Sequence, residues 1–205
     1  MRFVPLGDSY TIGTAVTPAE RWPDQLVARL ATRAAAAGRP APLELVGNPA
    51  VNGFTSRDVI AVELPQLGDL RPELVSLLIG TNDVIQGIGE AGYERNLELI
   101  LDDAASRVGP HRIFGVTSPD YTVTPAGADY GDPVIRSAGI RRHNAIFSRV
   151  LGARRIPVVD ILDLSLQARG DPSLVAGDGL HPSGRQYGLW VERIEPIVRG
   201  LLGDR

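Results

Sequence analysis

The sequence predicts an α/β fold: a three-layer α/β/α sandwich of the flavodoxin-like kind around a five-stranded, mainly parallel sheet. Three observations carry this expectation. Short apolar runs alternate with helical patterns along the whole chain, the alternation that builds parallel sheets. Five runs read as strands, at residues 3–6, 43–46, 74–79, 112–116 and 156–159, each apolar enough to be buried on both faces. Each is closely followed by Gly, Asn, Ser or Asp, residue types that open loops at strand ends. Right-handed crossovers would then distribute the helices over both faces of the sheet.

The elements follow in order. The first strand leads directly into Gly7-Asp8-Ser9-Tyr10, and Trp22, Leu26, Val27 and Leu30 then recur at helical spacing. The second strand leads into Asn48-Pro49-Ala50-Val51-Asn52-Gly53, before a helix expected over 56–67. The third reaches Gly80-Thr81-Asn82-Asp83, with a helix over 93–108 beyond it. After the fourth strand, residues 117–133 are too long and too rich in Pro, Gly, Asp and Tyr for a plain connection; they are expected to form a lid or pocket wall. A helix over 134–151 precedes the fifth strand, and the segment Asp178-Gly179-Leu180-His181-Pro182 follows it. The stripe Tyr187, Trp190, Val191, Ile194, Val198 and Leu201 marks a last amphipathic helix. With 205 residues, no repeat and no linker, one domain over residues 1–205 is expected.

Composition removes several classes of function. Hydrophobic residues make up 43% and charged residues 22%, which suits a globular core. The net charge of −3, with basic residues adjacent to one another only as short pairs such as Arg141-Arg142 and Arg154-Arg155, argues against a nucleic-acid partner. Without cysteine there is no disulfide, thiolate nucleophile or Cys-ligated metal; without lysine there is no Schiff base or P-loop lysine. Three scattered histidines offer no metal-ligand spacing, and no GxGxxG or Walker pattern follows a strand, so neither metal nor cofactor is expected. No apolar run approaches the roughly 20 residues of a membrane span. The chain reaches a polar motif directly after Met1-Arg2-Phe3-Val4-Pro5-Leu6, with no room for a signal-peptide core, so the cytoplasm is the expected location. Nothing in the pattern specifies an oligomeric state.

In open α/β sheets ligands bind beyond the carboxyl ends of the strands, where four polar clusters are expected. Taken singly, Gly-Asp-Ser, Asn-Gly and Asp-Gly are turn signals. Together they supply the parts of acyl transfer. A serine hydroxyl needs a nearby base to become a nucleophile, and His181 is the candidate. Asp178, three residues earlier, would share one face of a helical turn with His181 and hold its Nδ1–H. His111, before a strand, and His143, inside a helix, fit less well. Asp8 and Asp83 are expected to bond loop amides and not to transfer protons.

The four clusters match in order the motif blocks of the SGNH, or GDSL-type, hydrolase superfamily, and the chain resembles that family over nearly its whole length. Tyr10 stands where the bare GDSL pattern has Leu. The resemblance implies Ser9 as nucleophile, Asp178 and His181 completing a triad, and an oxyanion hole built from the backbone N–H of Ser9, the backbone N–H of Gly53 and the side-chain amide of Asn82. Residue types agree: Gly53 has no Cβ to obstruct an approaching oxygen, and Asn82 offers a neutral donor. The implied activity is hydrolysis of small-molecule carboxylic esters, of short acyl chains given the polar composition of 117–133. Thioester hydrolysis or acyl transfer to an alcohol or sugar would use the same machinery. A non-catalytic binding module is disfavoured by the intact set of residues. A phosphate or nucleotide binder would want free amides or basic groups where Asp8 stands.

Overall fold

The computed structural model describes residues 1–203. Five strands, β1 (Arg2–Gly7), β2 (Glu44–Leu45), β3 (Leu74–Leu78), β4 (Ile113–Val116) and β5 (Val158–Val159), form one sheet in the order β2-β1-β3-β4-β5. Every neighbouring pair is parallel. This is the flavodoxin-like order, whose direction of winding reverses between β1 and β3. Five consecutive residue pairs join these two strands, from Phe3 opposite Leu74 to Gly7 opposite Leu78, so they end level with each other.

The helices are α1 (Ser9–Ile12), α2 (Trp22–Ala36), α3 (Ser56–Asp58), α4 (Leu64–Leu70), α5 (Thr81–Ile85), α6 (Glu90–Val108), α7 (Pro133–Ala153), α8 (Leu162–Leu166) and α9 (Gly184–Leu202). Alternate strand residues point to opposite faces, and each face has its own core. On one, Phe3, Leu74, Leu78 and Phe114 meet Trp22 and Leu26 of α2 and Trp190 and Ile194 of α9. On the other, Val4, Leu6, Val75 and Leu77 meet Leu67 of α4, Leu97 and Ile100 of α6, and Phe147 and Leu151 of α7. The three layers follow from that two-sided burial.

Two expectations need correction. The second strand is not buried on both faces: Glu44 is exposed and Leu45 half-buried, because β2 lies at the sheet edge and pairs only with Arg2 and Phe3. The helix expected over 56–67 is a run from Ser56 to Leu70 interrupted by a π-helical turn, Val59–Glu63, a feature that inserts a residue and rotates the side chains beyond it.

Residues 117–133 contain two 3₁₀ turns, Tyr121–Val123 and Gly127–Tyr130. Their first part is fixed to the body of the fold. Ser118 N–H donates to Asn144 Oδ1 at 2.9 Å and Asn144 Nδ2 returns a bond to Ser118 O at 2.8 Å. Ser137 Oγ donates to Asp120 Oδ2 at 2.5 Å. Ala126 N–H reaches Gly179 O at 2.9 Å, tying the segment to the loop that carries His181.

Leu77 lies in the central strand with 1% exposure. Leu77→Ala should reduce unfolding free energy by about 2–5 kcal/mol in urea titration, the range for a truncated core residue that leaves a cavity. A loss below about 1 kcal/mol would contradict the two-sided core.

Candidate active site

The site is built from the loops leaving the carboxyl ends of β1 and β3, on either side of the point where the winding reverses. Asp8 caps α1: its backbone is extended and its Oδ1 accepts Tyr10 N–H at 3.0 Å. Ser9 is the first helical residue and is 4% exposed. Amides in a first helical turn have no acceptor within the helix, so Ser9 N–H begins at the positive end of a short peptide array. α1 is only one turn long, closed by Gly13 in the left-handed region at φ 73°.

Asn82 is the second residue of α5 and meets the Ser9 loop from the β3 side. Its Nδ2 donates to Phe54 O at 2.9 Å and lies 3.4 Å from Asp8 Oδ2. Gly53, next to Phe54, has φ 84°, and an added Cβ would meet nothing within 4 Å. Glycine is required there by backbone conformation, not by crowding. Gln86 Nε2 donates to Gly53 O at 3.0 Å, so the Gly53 loop is held from the far end of α5.

His181 arrives from the other end of the chain. Its ring centroid is 5.5 Å from that of Tyr10, the residue after Ser9. Its Nδ1 lies 2.6 Å from Asp178 Oδ2. The expected helical turn between them is absent. Asp178 Oδ1 instead accepts the N–H groups of Leu180 and His181, each at 3.0 Å, an Asx-type turn. Gly179 supplies the positive φ of 73°, and a bridge between Val175 and Pro182 closes the loop. A carboxylate that bonds its own loop can reach an imidazole three residues on without a helix. Burial pushes the Asp178 carboxyl up, but the bonds from the His181 ring and from the Leu180 and His181 amides outweigh it, leaving the group below its ordinary value.

Neither other histidine joins this set. His111 lies in a 3₁₀ turn before β4. His143 is buried in α7, with Nδ1 at 3.1 Å from Gly139 O and Nε2 at 3.3 Å from Ile88 O. Asp83 accepts Ser56 N–H at 3.0 Å and the Ser56 hydroxyl, which in turn accepts Asn96 Nδ2 at 2.8 Å. A small cavity of about 10 Å³ beside His181 is lined by Tyr10, Tyr121, Leu174, Leu180 and Gln186, so residues 117–133 do contribute a wall here.

A family model described as GDSL-like lipase/acylhydrolase matches residues 6–189. The chain belongs to that family. This makes it a carboxylic-ester hydrolase, and solved structures agree with the fold. A lipase/acylhydrolase from Enterococcus faecalis is 25% identical with a TM-score of 0.71, over 98% of this chain and 96% of that one. An acetylxylan esterase, Axe2 from Geobacillus stearothermophilus, is 18% identical with a TM-score of 0.70, over 98% and 93%. TesA is 21% identical with a TM-score of 0.67, over 97% and 98%. No curated sequence relative matches. Among the described residues no helix is long and apolar enough to cross a membrane.

The sequence motifs of this family member do not reveal Glu63. It is fully buried, its Oε2 accepts Gly7 N–H at 2.9 Å, and it stands on an otherwise apolar helix face with Val59, Leu64 and Leu67. A lone carboxylate on an apolar stripe was the available signal.

Gly7, the last residue of β1, and Gly53, in a loop, meet different constraints, and their replacement should separate them. At Gly7 an added Cβ would lie 2.3 Å from Leu78 O, which forces β1 and β3 apart. Gly53→Ala should cost about 1–2 kcal/mol in urea titration, the penalty of left-handed backbone alone. Gly7→Ala should cost more, and the reverse order would contradict the geometry.

Proposed function

We propose that the chain hydrolyses small carboxylic esters through an acyl-enzyme formed on Ser9, with His181 as general base and Asp178 as its orienting carboxylate. The single observation carrying this reading is the 2.6 Å contact between Asp178 and His181 set against Tyr10, the immediate neighbour of Ser9. Asp178 favours the tautomer with hydrogen on Nδ1, leaving Nε2 free to accept a proton. Ser9 Oγ attacks the carbonyl carbon as His181 takes its proton. The tetrahedral intermediate collapses as the imidazolium protonates the departing alcohol. Water, activated by the same histidine, then attacks the acyl carbon and releases the acid.

The developing oxyanion would be met by the amides of Ser9 and Gly53 and by Asn82 Nδ2. Asn82 spends one hydrogen on Phe54 O, while its 3.4 Å separation from Asp8 is long for a hydrogen bond. The second hydrogen can therefore turn to a substrate oxygen at small cost. The polar residues of 117–133, where an aliphatic run would be needed to line a long acyl channel, favour short acyl groups on a polar alcohol such as an acetylated sugar. The acetylxylan esterase among the structural relatives suits that choice. The whole chain is read as one domain.

Ser9→Ala should abolish hydrolysis of p-nitrophenyl acetate while leaving the unfolding transition in place, since it removes one oxygen and no core volume. Asn82→Ala should lower kcat by about 10²–10³ with a much smaller change in KM, as expected for a donor used in the transition state. A Ser9→Ala enzyme with near wild-type rate would overturn the mechanism, and an Asn82→Ala effect confined to KM would remove Asn82 from the oxyanion hole.

Across p-nitrophenyl esters from acetate to laurate, kcat/KM should be highest between acetate and about hexanoate. Each CH₂ buried in a continuous channel would contribute about 0.8 kcal/mol. A steady climb to laurate would reveal such a channel and refute the short-chain reading.

A further inference from the structure

The amide of Gly7 lies two residues before Ser9 at the end of β1, where the sheet no longer supplies it with a partner. β2 pairs only with Arg2 and Phe3, so the outer edge of β1 is uncovered well before Gly7. Glu63, 56 residues later in the chain, fills the gap with Oε2 at 2.9 Å from Gly7 N. It does so from the last position of the π-helical turn Val59–Glu63. Its other oxygen, Oε1, is buried without a hydrogen-bond partner.

We propose that Glu63 is a positioning residue for the nucleophile: it holds the turn that presents Ser9 by accepting the Gly7 amide, and it does so as a neutral carboxylic acid. The proposal rests on the assignment of Ser9 above. Glu63 has 0% exposure, and the groups that act on it from packed elements are Asp8, at the start of α1, and Asp58, on α3. Asp8 in turn feels Asp83 of α5. Beyond Asp83 stand His143 of α7, which favours its charge, and Tyr93 of α6. An ionised Glu63 would thus place a negative charge in a sealed region beside the carboxyls of Asp8 and Asp58. Burial pushes the Glu63 carboxyl up to about 8 despite the Gly7 bond, with Asp8 and Asp58 adding to the rise. Burial likewise raises Asp8 to about 8 against its bond from Tyr10 N–H, with Asp83 adding to it. A neutral acid still accepts through its carbonyl oxygen, and it leaves no net charge near the position where an oxyanion would form.

Glutamine has the same shape, the same acceptor and no titration, whereas leucine has neither acceptor nor charge. With p-nitrophenyl acetate at pH 7, Glu63→Leu should lower kcat by about 10- to 100-fold with KM within about threefold, because small displacements of a reacting group cost up to about 10² in rate. Glu63→Gln should recover kcat to within about threefold of wild type. Thermal unfolding from pH 5 to 9 gives an independent reading. A carboxyl raised in the folded state contributes stability that is full below its unfolded value and lost as pH rises through its folded value. The Tm of Glu63→Gln minus that of wild type should therefore increase between about pH 5 and 8 and then level off.

Glu63→Leu with wild-type kcat would refute positioning. Glu63→Gln with kcat lowered about 10-fold or more, or a Tm difference independent of pH, would refute the neutral acid; both compare Glu63→Gln with wild type alone, so they stand even if Glu63→Leu does not fold. Ser9→Ala in the same assay keeps the two claims apart. An inactive Ser9→Ala beside an unaffected Glu63→Leu sinks only the role of Glu63, while an active Ser9→Ala sinks the nucleophile itself.

Discussion

The pairing of β1 with β3 is the constraint on which the rest of the site depends. Five residue pairs in register bring Gly7 opposite Leu78, so the loops carrying Ser9 and Asn82 leave the sheet at the same height. The strands meet so closely at that end that only glycine fits. Because β2 lies beyond β1 and β4 beyond β3, the crossovers from these two strands depart in opposite directions and leave a crevice between them. The Gly53 loop is held by Gln86 at the end of α5, and His181, from the loop before α9, lies against Tyr10.

A second layer of polar contacts holds these loops from below. Asp8 binds the Tyr10 amide, Asp83 binds Ser56, and Glu63 binds the Gly7 amide. Three buried carboxyls within one region would be costly if all were charged, and burial raises each of them. Asp178 is the contrast: less buried and met by three donors, it sits below its ordinary value. Carboxyls beneath the turn are thus held toward neutrality and the one beside His181 toward charge.

Much of this was legible in the residues. Strand runs such as 3–6 and 74–79 announce themselves because both faces of a central strand are apolar, and the stripe from Tyr187 to Val198 because one helix face is. The four polar clusters were legible because each comes after an apolar strand run, at the end of the sheet where the loops gather. What escaped depends on three-dimensional aim. The Asp178–His181 spacing is compatible with a helix and with an Asx turn, and only the amides of Leu180 and His181 decide between them. Glu63 lies on the apolar stripe, four residues from Val59 and from Leu67, and escaped because only the folded chain brings the Gly7 amide to its carboxyl. The thin edge strand β2 followed from its single neighbour, which the apolar run at 43–46 could not reveal.

The central claim, that these loops form one acyl-transfer site around Ser9, is tested most directly by covalent capture. A serine-directed fluorophosphonate should label the protein once per chain, and peptide mass spectrometry should find the adduct on Ser9, with labelling lost in His181→Ala. An adduct on a different serine, or Ser9 labelling unaffected by His181→Ala, would contradict the account.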